Sequence, residues 1–164
     1  MTNNYQLSIL FVCLGNICRS PLAEAILHHH LLEKDMATRI QVASAGTGSW
    51  HIGSPADPRS VSVAKENGVE LNVRARQVTE ADFYNFDYMF AMDRQNLMDL
   101  QELQEEYGGT AKVELFRAYD PTAESSFDIP DPYYGKDSGF QDLFEMLNRT
   151  CLEIVNRVVE NETL

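Results

Sequence analysis

Strand-like and helix-like runs alternate along this chain, and no other feature of it limits the possible folds so strongly. Residues 6–13, QLSILFVC, form a short apolar run rich in strand formers. A helical pattern over 21–34 follows, opened by Ser20 and by Pro21 at the first helical position, where no N–H is missed. IQVASAG at 40–46 reads as a second strand stopped by Gly46, and a helix over 58–67 ends at Gly68. FDYMFAMD at 86–93 is a third strand, residues 94–107 a helix closed by Gly108 and Gly109, and KVELF at 112–116 a fourth strand. Phe140, Leu143, Phe144, Leu147, Cys151, Ile154, Val155 and Val158 then recur at helical spacing. The expectation is an α/β fold: a single domain with a four-stranded parallel twisted sheet flanked by helices on both faces.

Open sheets of this kind bind ligands beyond the carboxyl ends of their strands. Three segments should meet there. They are the 13–20 loop, the end of the third strand near Asp93, and the acidic stretch 119–139, which is too long to be a mere connector.

Charge narrows what such a site can hold. The chain carries a formal net charge of -12, so it lacks the basic footprint that nucleic acid or an anionic membrane requires. Any anion must therefore be held by local positive potential from backbone N–H groups, a helix N-terminus and one or two arginines. No apolar run approaches the roughly 18 residues of a membrane span. The first residues lack a basic stretch and a small-residue cleavage site, so no signal peptide is expected. Three cysteines are too few for a disulfide framework, and a cytoplasmic location is the expectation. No cofactor or metal is called for. Cys13 and Cys18 have no nearby partner ligands, and His28, His29 and His30 fan out by about 100° each around a helix, as mostly solvated side chains. The acidic run 99–106 is most simply a solvated helix face.

The loop between the first strand and helix, CLGNICRS, carries the pattern Cys-x5-Arg. Spacing alone decides nothing, because Cys151 and Arg157 repeat it within a helix, where Cys151 reads as a buried core thiol. Context separates the two copies. A loop entering a helix N-terminus turns several N–H groups toward one point and makes an anion site. The same field favours thiolate at Cys13, and Arg19 offers a planar fork for two phosphate oxygens. A thiolate at the base of an oxyanion cradle suits attack on phosphorus. There is no Gly-Lys-[Ser/Thr], so the loop is not a nucleotide P-loop.

CLGNICRSPLAEA resembles the signature loop of the low-molecular-weight protein tyrosine phosphatases, and DPYYG at 131–135 is similar to that family's general-acid motif. The element order agrees over essentially the whole chain. The resemblance implies Cys13 as nucleophile, Leu14, Gly15, Asn16, Ile17, Cys18 and Arg19 as the phosphate cradle, and Asp131 as the acid. It makes Asn16 and Ser20 polar braces, with the Ser20 hydroxyl donating to the thiolate. Trp50, Tyr133 and Tyr134 would wall the pocket around a phenyl ring, and some members are phosphorylated on the paired tyrosines. It further implies a phosphotyrosine-containing protein or peptide as partner, inorganic phosphate as product, and a reversible Cys13–Cys18 disulfide that protects the thiolate. For Cys18 a small apolar filler remains the other reading.

The acid fits the chemistry independently, since a phenolate leaving phosphorus needs a proton. Pro130 and Pro132 stiffen the backbone that aims Asp131, while Asp120 and Asp128 read as solvated charges. Two positions where animal members often carry histidine hold Asn67 and Val73, so no histidine support carries over. An arsenate reductase would need further cysteines after the third strand, and residues 83–139 contain none. The protein-arginine phosphatase branch carries threonine where Ile17 stands, and the missing hydroxyl favours phosphotyrosine. A phosphate-binding module without turnover would have no use for Cys13, Arg19 and Asp131 together.

Overall fold

A computed structural model describes residues 4–124, 126–133 and 138–163. The chain order is β1 (Leu7–Cys13), α1 (Arg19–Glu33), β2 (Ile40–Gly46), α2 (Pro58–Glu66), α3 (Asp82–Asn85), β3 (Tyr88–Ala91), α4 (Arg94–Tyr107) and β4 (Lys112–Leu115). A 3-10 turn at Phe116–Tyr119 follows, then α5 (Ser138–Ile154), a π turn at Val155–Val159 and α6 (Glu160–Thr163). The four strands pair in parallel in the order β2-β1-β3-β4. The expected fold class is therefore the one observed.

β1 is buried along its whole length because both of its faces are covered. Its side chains alternate between two cores, as the strand period of two requires. Leu7, Ile9 and Phe11 join Leu22 and Ile26 of α1, Val63 of α2 and Leu147 and Cys151 of α5. Leu10 and Val12 face the other way, toward Phe83, Met89 and Leu100 on α3, β3 and α4. Helices thus cover both sides of the sheet.

The strand order places β1 and β3 side by side at the centre, although the chain visits β2 between them. The connections leave β1 and β3 in opposite directions across the sheet, so a crevice opens beyond their carboxyl ends, where open α/β sheets bind ligands. Cys13 ends β1 there. Asp93 lies two residues past β3, and its side chain caps α4 by accepting from the Asn96 N–H at 2.8 Å.

α1 departs from the expected boundary. It starts at Arg19 rather than Pro21, and no side chain caps it at Cys18. Pro21 is therefore the third helical residue, still within the first turn where an N–H has no intrahelical partner. Two of the three consecutive histidines also differ from their solvated reading. His28 is exposed, but His29 and His30 are half-buried, His29 against Glu33 at 3.0 Å and His30 against Asn148 at 2.7 Å.

Candidate active site

The 13–19 loop is shaped by tight packing against the end of β2. Gly46 lies beside Cys13 in the sheet register, and a Cβ there would fall 2.7 Å from the Leu14 carbonyl oxygen. Only glycine lets the two backbones approach so closely. Thr47 N–H donates to Cys13 O and Gly48 N–H to Leu14 O, both at 2.9 Å, tying the loop's start to β2's extension. Asn16 takes a positive φ of 57°, a conformation asparagine tolerates better than most residues. Its buried side chain spans two segments, with Nδ2 donating to Ser20 Oγ at 2.8 Å and Oδ1 accepting from Arg76 N–H at 2.9 Å.

Ser20 Oγ lies 2.9 Å from Cys13 Sγ and 3.4 Å from the Ala45 carbonyl oxygen. Asn16 already occupies one of the hydroxyl's acceptor positions, so its single proton is left for the sulfur or that more distant carbonyl. The arrangement can hydrogen-bond a thiolate. Cys18 lies in the same loop and is also buried. Burial, reinforced by Asp57, Cys13 and Asp131, pushes its thiol well above the ordinary cysteine range.

Arg19 is 3% exposed and reaches the same crevice from the first turn of α1. Its Nη1 donates to Asp93 Oδ2 at 2.7 Å and to the Ile129 carbonyl at 3.0 Å. Its Nη2 lies 3.5 Å from Asp131 Oδ2. Burial works against the guanidinium charge, but Cys13, Asp93 and Asp131 outweigh it and hold the Arg19 pKa above its usual value.

Asp131 remains 43% exposed at the side chain, while its Oδ1 accepts from the Tyr133 N–H at 3.0 Å. Residue 129 is pinned beside it, since Ile129 N–H donates to Met92 O at 2.7 Å at the end of β3.

Cys13, Cys18, Arg19 and Asp131 line one cavity of about 330 Å³. Cys13, Leu14, Gly15, Ile17, Cys18 and Arg19 form its base, and Asp131, Tyr133, Trp50 and His51 its rim. Trp50 is 72% exposed, and its ring folds over Gly48, where a Cβ would fall 1.9 Å away. The volume and the aromatic rim suit a small aromatic ligand with an anionic head. Tyr134, the third expected wall, lies outside the described residues.

Residues 8–164 match the sequence model of the low molecular weight phosphotyrosine protein phosphatase family. The chain belongs to this family. A low molecular weight phosphotyrosine protein phosphatase of Schizosaccharomyces pombe is 44% identical over 148 residues, covering 90% of this chain and 92% of that protein. A crystal structure of a protein tyrosine phosphatase from Entamoeba histolytica, with Hepes in its active site, superposes with a TM-score of 0.87 at 36% identity. That match covers 95% of this chain and 99% of the other. A Drosophila arginine phosphatase superposes with a TM-score of 0.85 at 34% identity, covering 90% and 95%.

Four features of this phosphatase escaped the sequence. Asp93 was placed near the site, but its bond to Arg19 depends on β1 and β3 being neighbours, which residue order alone does not show. His51 stands on the rim with its ring centroid 6.2 Å from that of Tyr133. Only its position next to Trp50 could have signalled it. Asp120 reverses its expected solvated state. It is buried, bonded by Arg149 at 3.0 and 3.1 Å, by the Thr122 N–H and hydroxyl at 2.9 Å each and by Arg117 at 3.2 Å, so that these partners overcome burial and hold its pKa down to about 2. Asp128 is only part-exposed, because it accepts from the Arg94 N–H at 2.8 Å at the start of α4.

Proposed function

We propose that this phosphatase hydrolyses phosphotyrosine in proteins or peptides, and aryl phosphate monoesters generally, through a cysteinyl-phosphate on Cys13. One observation carries the reading: a thiol and a clamped guanidinium from the two ends of the 13–19 loop meet a carboxyl from the distant 129–133 segment in one aromatic-rimmed cavity. Leu14, Gly15, Asn16, Ile17, Cys18 and Arg19 form the phosphate cradle at the α1 N-terminus. Asn16 and Ser20 brace it, and the Ser20 hydroxyl donates to the Cys13 thiolate.

The thiolate attacks phosphorus, forming the S–P bond as the P–O bond to the phenol breaks. Asp131 gives its proton to the departing oxygen. The resulting carboxylate then takes a proton from a water whose oxygen attacks phosphorus. Cleavage of S–P returns the thiolate and releases inorganic phosphate. Cys18, its thiol pushed up by burial, stays protonated and leaves the attack to Cys13. Trp50 and Tyr133 flank the phenyl ring.

The test is a side-by-side rate comparison on matched phosphotyrosine and phosphoarginine peptides without added metal. Ile17 offers no hydroxyl in the cavity, so kcat/KM on phosphotyrosine should lead by about tenfold or more. The opposite order would assign the chain to phosphoarginine. Peroxide should join the Cys13 and Cys18 thiols in a disulfide, itself being reduced to water, and dithiothreitol should restore activity. Equal recovery in Cys18→Ser would exclude that protective role.

A further inference from the structure

We infer that Arg59, a residue outside the cavity, is the positioning residue that aims Asp131. The inference rests on the proposed role of Asp131 as general acid. Its starting point is how the short segment 129–133 is held. Two arginines grip carbonyl oxygens two residues to either side of Asp131. Arg19 Nη1 donates to Ile129 O at 3.0 Å, and Arg59 Nη2 donates to Tyr133 O at 2.8 Å. The Tyr133 N–H in turn donates to Asp131 Oδ1 at 3.0 Å, so the residue gripped by Arg59 also holds the carboxyl. A shift of Tyr133 therefore moves the proton donor directly.

Arg59 is itself a fixed point. Its guanidinium meets Asp57 through Nε at 3.1 Å and Nη2 at 3.1 Å, a two-pronged pairing with the carboxylate that caps α2. Burial opposes the Asp57 charge, but the bonds from Arg59 prevail and lower its pKa. The guanidinium also lies 4.6 Å from the Phe140 ring centroid at the start of α5 and 5.9 Å from that of Tyr133.

The anchor at the other end is the phosphate cradle. Asp57 N–H donates to Ile17 O at 2.8 Å, and Ser60 Oγ on α2 donates to Cys18 O at 3.4 Å. The path from cradle to acid is therefore short and entirely polar: Ile17 to Asp57, to Arg59, to Tyr133, to Asp131. Arg19 holds the cradle side of the segment, and Arg59 holds its far side. A lysine at 59 could reach one acceptor, but not the fork on Asp57 together with the carbonyl.

The experiment measures kcat/KM for Arg59→Met and Arg59→Lys across aryl phosphates of graded leaving-group basicity, with Asp131→Ala and the double variant in parallel. Because kcat/KM reports the step that expels the phenol, a misaimed acid should lower it by about tenfold or more for phenyl phosphate and by about twofold or less for p-nitrophenyl phosphate. Arg59→Lys should recover part of that loss. Inhibition by inorganic phosphate should stay within about twofold, since the cradle is untouched. Adding Arg59→Met to Asp131→Ala should cost nothing more, because a residue acting through Asp131 has nothing left to aim. Equal loss on every leaving group, or the full Arg59 penalty persisting in the Asp131→Ala background, would overturn the inference. If Asp131→Ala alone lacks leaving-group dependence, the acid assignment fails first, and that result is distinguishable from a failure of Arg59.

Discussion

The chain carries the same pattern twice, and the two copies end in opposite surroundings. Cys13 closes a strand, with Ser20 Oγ at 2.9 Å and Arg19 on the same cavity. Cys151 sits on α5, fully buried, and its thiol donates to the Ala23 carbonyl at 3.8 Å. Burial alone pushes its thiol far above the ordinary range. Arg157 points the other way, its guanidinium 4.8 Å from the Tyr119 ring centroid. Side chains wind around a helical stretch, so six residues, here from α5 into the π turn that holds Arg157, place the two on different faces. Only a loop folded back on a helix N-terminus brings the cysteine and arginine of this spacing to one point. The motif's chemistry lies in its placement.

Substitutions at the two copies should separate chemistry from packing. Cys13→Ser should lower kcat/KM on p-nitrophenyl phosphate by about 10⁴-fold or more, measured with the fold verified by circular dichroism. Arg19→Met should follow with a loss of about 10²- to 10³-fold, because a buried charge aimed at the transferring phosphoryl group is removed. Arg157→Met should leave kcat/KM unchanged. A comparable loss at Arg157 would break the distinction between the copies.

The surroundings of the second copy should answer in stability. Asp120 ties the end of β4's 3-10 turn to Arg149 on α5, and its pKa lies near 2 against an ordinary 3.8. A carboxylate with a lowered folded pKa stabilises the fold fully above its ordinary value and loses that contribution as pH falls toward 2. Asp120→Asn should thus cost on the order of 2 kcal/mol at neutral pH and flatten the acid limb of urea-denaturation stability, with little effect on kcat. Cys151→Ala should cost about 1 kcal/mol by leaving a small void, again at near-normal activity. Unchanged acid stability in Asp120→Asn would mean that its ion pairs do not hold α5.

How much of this was readable beforehand depended on range. β2, the start of α2 and the span of α4 agree with the residue pattern, because periodicity and turn residues are local. The Cys13 loop was legible for the same reason, since strand, loop and helix adjoin in sequence. α3 was missed as a single turn of helix, too short to show a period. The Asp93–Arg19, Asp120–Arg149 and Arg59–Tyr133 contacts were invisible for a different reason. Each joins residues far apart in the chain, and a lone aspartate or arginine carries no mark of the partner it will meet. Asp120 reads as solvated on its acidic neighbours, whereas Arg149 from α5 joins the nearby Arg117 in compensating its burial.

The central claim, that phosphate passes through the sulfur of Cys13, can be tested by rapid acid quench of the enzyme during turnover of a phosphotyrosine substrate, followed by peptide mass spectrometry. One phosphate should appear on Cys13 and vanish in Cys13→Ser. A phosphorylated Cys18, or turnover with no phosphoenzyme on Cys13 at any quench time, would contradict the account.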